Sequence, residues 1–229
     1  MTYPIILKPT PGASIVKPVA NQSKNKKHGP SEIVAFARLL HLGLSELRSD
    51  LCVRLERHNY EPDMVYIDPK RNVYIDIEVD EPYAAAGHPT HYVYDNGTPR
   101  DGARNRRFQD AGWWVVRFSE EQVFSHTEQV AKTIHMVLRE TGVIDAIPAR
   151  FDAVADLAPI EQWTQQQSQQ MKRRRFRNSY LHFDPARMRL SDIVQCGKLL
   201  VSIALQSTTN AKLRRDLWGQ TIGYIFKRR

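Results

Sequence analysis

The sequence predicts an α/β protein in which helices flank a mixed β-sheet. Three observations support this: a pair of strand-like stretches joined by a short turn, a later apolar strand-like stretch, and helix-like stretches on either side of both. The order helix, hairpin, helix, strand, helix is typical of helices packed on a sheet. Glycine-rich nucleotide-binding loops of either common type are absent from the sequence, which argues against a P-loop enzyme.

The stretch 73–80 alternates without a break between apolar and polar side chains, which predicts a strand. A second strand is predicted over 64–68, entered through Pro62-Asp63 and joined to the first by a turn at 68–72. Residues two apart share one face of a strand. We therefore expect four carboxylates to converge, those of Asp63, Asp76, Glu78 and Asp80.

Four carboxylates from neighbouring strands are typical of a site for a hard divalent cation such as Mg²⁺. Like charges in a row also raise each other's proton affinity unless a cation or an exposed edge relieves them. The alternative is that these acids simply lie on a solvated strand face.

Two helices are predicted before the hairpin. One spans 31–40 and begins at Ser31, a favourable N-cap residue. The other spans 45–56, because Leu47, Leu51 and Leu55 are one helical turn apart. Glu46 would lie in its first turn, where it interacts with the helix dipole or leans over the carboxylates as a further metal or water ligand.

A long irregular loop over 81–101 is predicted from its prolines and glycines. It contains His88 and His91, which lack the further ligands that a zinc site requires, although a histidine beside the carboxylates could orient a water or contact phosphate. A helix over 101–110 follows and presents three arginines on a basic side: Arg104, Arg106 and Arg107.

An apolar strand is predicted over 113–118, followed by a helix that begins at Ser119 with a capping-box pattern. This helix is expected to run to Arg139, with a break near Ser125. Domain boundaries are predicted at the ends of this region: a flexible basic arm over 1–30, an α/β core over 31–145, and a basic, mostly helical extension over 146–229.

The charge is distributed unevenly along the chain. The 229 residues carry a net charge of +8, but residues 161–229 contain 14 Lys and Arg against 4 Asp and Glu. A nearly neutral body with a basic C-terminal part indicates a polyanionic partner, although a solvated tail or a contact with an acidic protein would give the same pattern.

Basic and aromatic residues alternate in the first part of the extension, around Phe176 and Tyr180. This pattern suits phosphate contacts and base stacking, with the nucleic-acid contacts expected from Lys172, Arg173, Arg174, Arg175 and Arg177. Alternatively, Trp163 and these aromatic residues pack a helix on the core. Two further helices are predicted over 191–207 and 210–229.

The middle of the chain, 45–124, resembles the PD-(D/E)xK nuclease superfamily, in the restriction-endonuclease-like branch related to very-short-patch-repair endonucleases. The resemblance rests on motifs in order: Pro62-Asp63, Glu78-Val79-Asp80, Arg104-Asn105, the strand Gly112-Trp-Trp-Val-Val-Arg-Phe118, and Glu121-Gln122-Val123. It implies a restriction-endonuclease-like mixed sheet and metal-dependent cleavage of DNA.

The resemblance also implies roles for single residues. Asp63 and Glu78 would bind Mg²⁺, which Mn²⁺ could replace, and Glu46 matches the early glutamate of the superfamily. Asp80 stands where the superfamily usually has a lysine, so it could add only a metal ligand. Arg104 is expected to stabilise the transition state, because Arg117 is the better candidate for a buried ion pair.

Two hypotheses follow. One is a Mg²⁺-dependent DNA endonuclease, a subunit of a mobile-element or defence system whose protein partner supplies target choice. The other is a nuclease-fold protein without cleavage, acting in DNA binding or assembly. Two cysteines without metal or disulfide spacing, and an N-terminus without a secretory signal, indicate the cytoplasm; no apolar run is long enough to span a membrane.

Overall fold

The computed structural model describes residues 1–20, 30–84 and 86–181. The strands within these ranges are β1 (Thr2–Tyr3), β2 (Ile5–Leu7), β3 (Val19–Ala20), β4 (Leu47–Arg48), β5 (Leu51–Leu55), β6 (His58–Tyr60), β7 (Met64–Asp68), β8 (Val73–Asp80), β9 (Trp114–Ser119) and β10 (Ile160–Glu161). The α-helices are α1 (Pro30–His41), α2 (Gly102–Asp110), α3 (Glu120–Ser125), α4 (Thr127–Glu140) and α5 (Gln165–Arg173). Two 3-10 helices span Ala149–Phe151 and Phe176–Ser179.

The main sheet has five strands in the order β2-β9-β8-β7-β4. The pair β8 and β9 is parallel, and the other neighbours are antiparallel. The predicted mixed sheet with flanking helices is therefore confirmed, as are the hairpin of β7 and β8 and the strand β9. A two-stranded sheet joins β1 to β10, and a three-stranded sheet has the order β3-β5-β6.

Both faces of β8 are buried. Its apolar residues Ile75, Ile77 and Val79 belong to a core formed with the helices α1 and α4. Tyr74, on the opposite face, packs in a second core with Phe108 of α2 and with residues of β5 and β9. The acids of β8 share this second face, so they lie on the middle strand of the sheet under other elements and not on a solvated surface.

The predicted helix over 45–56 is wrong, because this stretch forms the strands β4 and β5. The leucines at helical spacing also satisfy a strand pattern, since Leu51, Val53 and Leu55 are all buried on one face in the second core. Pairing with β6 through a turn at Glu56, whose φ is +55°, completes a hairpin. A short apolar stretch can satisfy both the helical and the strand period, and here pairing with β6 selects the strand.

The predicted flexible arm over 1–30 is wrong for its first residues, because they belong to sheets. β2 pairs with β9 at the edge of the main sheet, and Tyr3 is fully buried. The alternation of Tyr3, Ile5 and Leu7 was the available signal, and Pro4 and Pro9 obscured it.

The remaining predicted elements agree with the structure wherever they are described. The helices α1 and α2 are confirmed, and the predicted break near Ser125 separates α3 from α4. The loop between β8 and α2 contains only isolated bridges among its described residues. The helices predicted over 191–207 and 210–229 lie outside the described residues. No described helix is both long and apolar enough to cross a membrane.

Candidate functional site

The strand β8 carries the three acids of the candidate site. Asp76, Glu78 and Asp80 are 0%, 7% and 1% exposed, so each needs a buried partner for its charge. The helix α2 and the strand β9 supply these partners, because the crossover from β8 to β9 passes through α2.

Arg104 of α2 binds two of these acids at once. Its Nη1 and Nη2 lie 2.7 Å and 3.2 Å from the Asp76 oxygens, and Nη2 also lies 2.7 Å from Glu78 Oε1. The guanidinium stacks on Phe108, one turn along the same helix, with 4.6 Å to the ring centroid. This fork geometry is the one that arginine forms with carboxylates.

Asp63 and Glu78 are held together by reciprocal backbone contacts. The Asp63 N–H donates to Glu78 Oε1 at 3.1 Å, and the Val79 N–H donates to Asp63 Oδ2 at 2.8 Å. Met64 lies opposite Ile77 in the β7–β8 ladder. Directly beyond this residue pair, the two side-chain-to-backbone bonds continue the hydrogen bonding between the strands. The predicted proximity of Asp63 and Glu78 is confirmed.

Asp80 lies in a separate ion pair with Arg117 of β9. Arg117 Nε and Nη2 are 3.0 Å and 2.6 Å from the two Asp80 oxygens, and its Nη1 donates to Asn105 Oδ1 at 3.0 Å. Tyr3 donates its hydroxyl to Asp80 at 2.9 Å. The predicted burial of Arg117 in an ion pair is confirmed.

The predicted convergence of four carboxylates on one point is therefore wrong. Arg104 and Arg117 divide the acids into two ion-paired groups, one containing Asp76 and Glu78 and the other containing Asp80. In the described part of the chain, no three His, Cys, Asp or Glu side chains come together in a way that could hold a metal ion.

Proton affinity differs between the two acids that share Arg104. Burial raises the pKa of Asp76 to about 7, with Arg104 opposing this effect and the charge of Glu78 adding to it. Burial also pushes the pKa of Glu78 upward, but Arg104 and Arg117 outweigh it and hold that pKa below its ordinary value. A proton bound by this pair therefore resides on Asp76, and Glu78 keeps its charge.

His91 brings the loop after β8 onto the Asp80 side of the site. Its Nδ1 lies 2.9 Å from Asp101 Oδ2 and 3.4 Å from Asp80 Oδ1, and its Nε2 lies 3.5 Å from Glu81. Burial would lower the pKa of His91, but these carboxylates outweigh it and raise the pKa well above its ordinary value. The imidazolium thus ties the loop to the end of β8.

Glu46 does not reach the carboxylates, which corrects its predicted role. It is exposed, and it precedes β4, whose Leu47 lies opposite Tyr66 in β7. Glu46 therefore lies beside the end of β7 that is farther from Asp63. At strand spacing, that end is about 13 Å from Asp63. The acid that does occupy the first turn of a helix before the hairpin is Glu32 of α1.

The predicted nucleic-acid residues fall into two groups. Lys172, Arg173, Arg174 and Arg175 are exposed at the end of α5. Arg177 instead points inward, with Nε and Nη2 at 2.7 Å and 2.6 Å from the Glu120 carboxylate and Nη1 donating to the Tyr83 carbonyl. This internal ion pair corrects the prediction that Arg177 contacts nucleic acid.

The alternative of aromatic packing holds for two of the three aromatic residues in this segment. Trp163 and Tyr180 are buried, and the Tyr180 hydroxyl donates to Glu120 at 2.9 Å. Phe176 is only half-buried.

Several polar partners in the site were not predicted from the sequence, among them Tyr3, Asn105 and Glu120. Tyr3 lies in a segment interpreted as an arm. Glu120 follows the capping residue Ser119, where an acid is usually explained by the helix dipole alone. Asn105 directly follows Arg104, and its place beside that arginine in the sequence was the available signal.

The described residues can supply Mg²⁺ with two neighbouring carboxylates, those of Asp63 and Glu78. Mg²⁺ commonly binds one or two carboxylates and completes its shell with waters and substrate phosphates, so this pair would be the one to hold it. Glu78 Oε1 already accepts from Arg104 and from the Asp63 N–H, and Asp63 Oδ2 accepts from the Val79 N–H. Asp80 does not fit, because Arg117 and Tyr3 bind both of its oxygens.

Comparison with protein-family models, curated proteins and solved structures finds no match to this chain.

Proposed function

We propose that this protein is a metal-dependent DNA endonuclease with a restriction-endonuclease-like core. The observation that carries the proposal is the reciprocal bonding of Asp63 and Glu78, which keeps two carboxylates side by side at the end of the β7–β8 hairpin. The neighbouring Arg104 is 16% exposed at its side chain, so a cation of the chain borders the same point. Two acids beside an arginine suit phosphodiester hydrolysis.

In this proposal Asp63 and Glu78 hold the metal, and Arg104 faces the phosphate. A bound Mg²⁺ would polarise the phosphodiester and lower the pKa of a coordinated water. Arg104 shares its guanidinium between Asp76 and Glu78, so it is positioned to offset negative charge that develops beside Glu78. The raised pKa of Asp76 lets that acid become neutral when Arg104 turns toward phosphate.

The exposed basic residues 172–175 are the proposed contact with the DNA backbone. The ion pair of Arg177 with Glu120 fixes this segment to α3, which directly follows β9. Ser168 donates to the Pro82 carbonyl, so the same segment also contacts the loop that leaves β8. The basic surface is thus attached at the end of the sheet where Asp80 lies.

A second candidate is a nuclease-fold protein that binds DNA or assembles with partners without cutting. It is favoured by Asp80, which stands in place of a lysine and is neutralised by Arg117. In both versions we propose a cytoplasmic subunit of a mobile-element or defence system, with a protein partner that supplies target choice.

A cleavage assay separates the two candidates. Linear, supercoiled and single-stranded DNA are incubated with Mg²⁺ or Mn²⁺ and the protein, its Asp63→Ala and Glu78→Ala variants, or the control Asp68→Ala at the other end of β7. The endonuclease proposal expects cleavage by the wild-type protein and the control only. Cleavage unchanged by both site variants would refute the site, and binding without cleavage would favour the second candidate.

A further inference from the structure

A small pocket lies apart from the carboxylates, where α5 and the following 3-10 helix cover the end of β10. Its volume is about 270 Å³, below the roughly 300–1,000 Å³ of pockets for drug-sized ligands, so it suits one small group. Its lining includes Gln162, Trp163, Gln170, Met171, Arg174 and Phe176, together with the exposed acid Glu161.

Two of the lining residues have unsatisfied buried polar atoms. Trp163 is only 5% exposed, and among the described residues neither its Nε1 nor Gln162 Oε1 has a hydrogen-bond partner. A buried donor or acceptor without a partner is costly, and a ligand that supplies the missing bond removes this cost. Both atoms are buried, so a ligand in the pocket reaches them only if the side chains of Gln162 and Trp163 shift.

The other lining residues indicate an aromatic ligand on a polyanion. Met171 and the half-buried Phe176 provide apolar contact, and the exposed amide of Gln170 adds a further donor and acceptor. Arg174 belongs both to the pocket lining and to the exposed basic residues 172–175. A planar group with hydrogen-bonding edges attached to a phosphate chain is a nucleobase.

The pocket is also connected to the candidate site. Trp163 packs on Tyr3 with ring centroids 5.4 Å apart, and Tyr3 donates to Asp80. A strand held in the pocket would thus be close to the acids of β8.

We propose that this pocket binds one unpaired nucleobase of a DNA strand whose phosphates contact the basic residues 172–175. The inference rests on the proposed function only in needing DNA as the ligand; it does not need cleavage. Bases stacked on aromatic side chains contribute enough that removing one such side chain weakens binding about 5- to 150-fold.

The test compares two single-stranded oligonucleotides of equal length in EDTA, one with bases and one with abasic sugars, so that both carry the same phosphates. The wild-type protein should bind the strand with bases more tightly. Phe176→Ala should weaken that strand about 5- to 150-fold. Gln170→Ala should weaken it about 2- to 10-fold, and both variants should leave the abasic strand unchanged. Gln169→Ala, an exposed neighbour outside the pocket lining, should behave as wild type.

Equal weakening of both strands, no preference of the wild-type protein for bases, or no binding at all would overturn the inference. Base-dependent binding without cleavage in Mg²⁺ would refute the proposed function alone. Cleavage that depends on Asp63, without any base preference, would refute the inference alone.

Discussion

Each acid of β8 is balanced by an arginine from a neighbouring element, and the consequences differ between the two pairs. Arg117 and Asp80 are both 1% exposed and form a closed, bidentate pair. Arg104 is partly exposed and is shared by Asp76 and Glu78. We infer that the first pair supports the structure and the second can take part in chemistry.

Arg117→Met tests the structural role of the first pair. The substitution leaves the Asp80 charge buried without its partner, so the free energy of unfolding should fall by about 3–5 kcal/mol in a urea titration. Adding Asp80→Asn should recover part of that loss, because the unpaired charge is removed. A loss below about 1 kcal/mol for Arg117→Met would contradict this assignment.

His135 of α4 gives a pH dependence that is separate from the site. It is buried against Phe151, with ring centroids 5.0 Å apart, and burial lowers its pKa. The folded protein therefore binds this proton less readily than the unfolded chain, so stability falls as pH drops through the ordinary histidine pKa of about 6.5.

The matching experiment is urea unfolding of the wild-type protein and His135→Leu at pH 8 and pH 5.5. Other titrating groups are common to both proteins, so the difference isolates His135. We expect the wild-type protein to lose more stability on acidification than the variant. The same loss in both proteins would show that His135 does not contribute.

At the scale of whole elements, the sequence was ambiguous between helix and strand over 45–56. A helix over 45–56 and strands over the same residues bury the same leucines, and β6 decided in favour of strands by pairing with β5. The strand β8 was unambiguous, because eight alternating residues exclude a helical period. Its burial on both faces could not be predicted, since Arg104 and Arg117 come from elements distant in the sequence.

The attachment of α5 and the following 3-10 helix depends on Glu120. Glu120→Gln removes the charge that binds Arg177 while keeping every tryptic site, so trypsin should cut within residues 172–175 at least about tenfold faster. Limited proteolysis at constant trypsin measures this rate. Glu121→Gln, the adjacent substitution, is the control, and equal rates in the two variants would contradict the attachment.

For the whole molecule, the sequence predicted the mixed sheet, the hairpin and the pairing of Asp63 with Glu78. It did so because strand alternation and turn residues are local signals. The place of residues 1–7 in the sheets, the inward direction of Arg177 and the division of the acids between two arginines depend on contacts between distant residues. Local patterns do not encode those contacts, so they appeared only in the fold.

The basic surface makes a prediction about salt. If Lys172 and Arg173 contact phosphates, replacing both with Ala should reduce the slope of log affinity against log salt for duplex DNA by about 0.9 for each phosphate that is no longer neutralised. Fluorescence anisotropy at several salt concentrations gives the slope. Arg54→Ala with Arg57→Ala, two exposed positions by β5 and β6, should leave it unchanged. An equal reduction in both double variants would indicate that only net charge matters.

We propose that Asp63 and Glu78 together hold a divalent cation. Electron paramagnetic resonance of Mn²⁺ titrated into the protein, with DNA present, measures this binding without requiring turnover. We expect Asp63→Asn and Glu78→Gln each to weaken Mn²⁺ binding at least about tenfold, while Asp68→Asn binds as the wild type does. Mn²⁺ binding at full wild-type affinity in both site variants, or no Mn²⁺ binding by the wild-type protein, would contradict the claim.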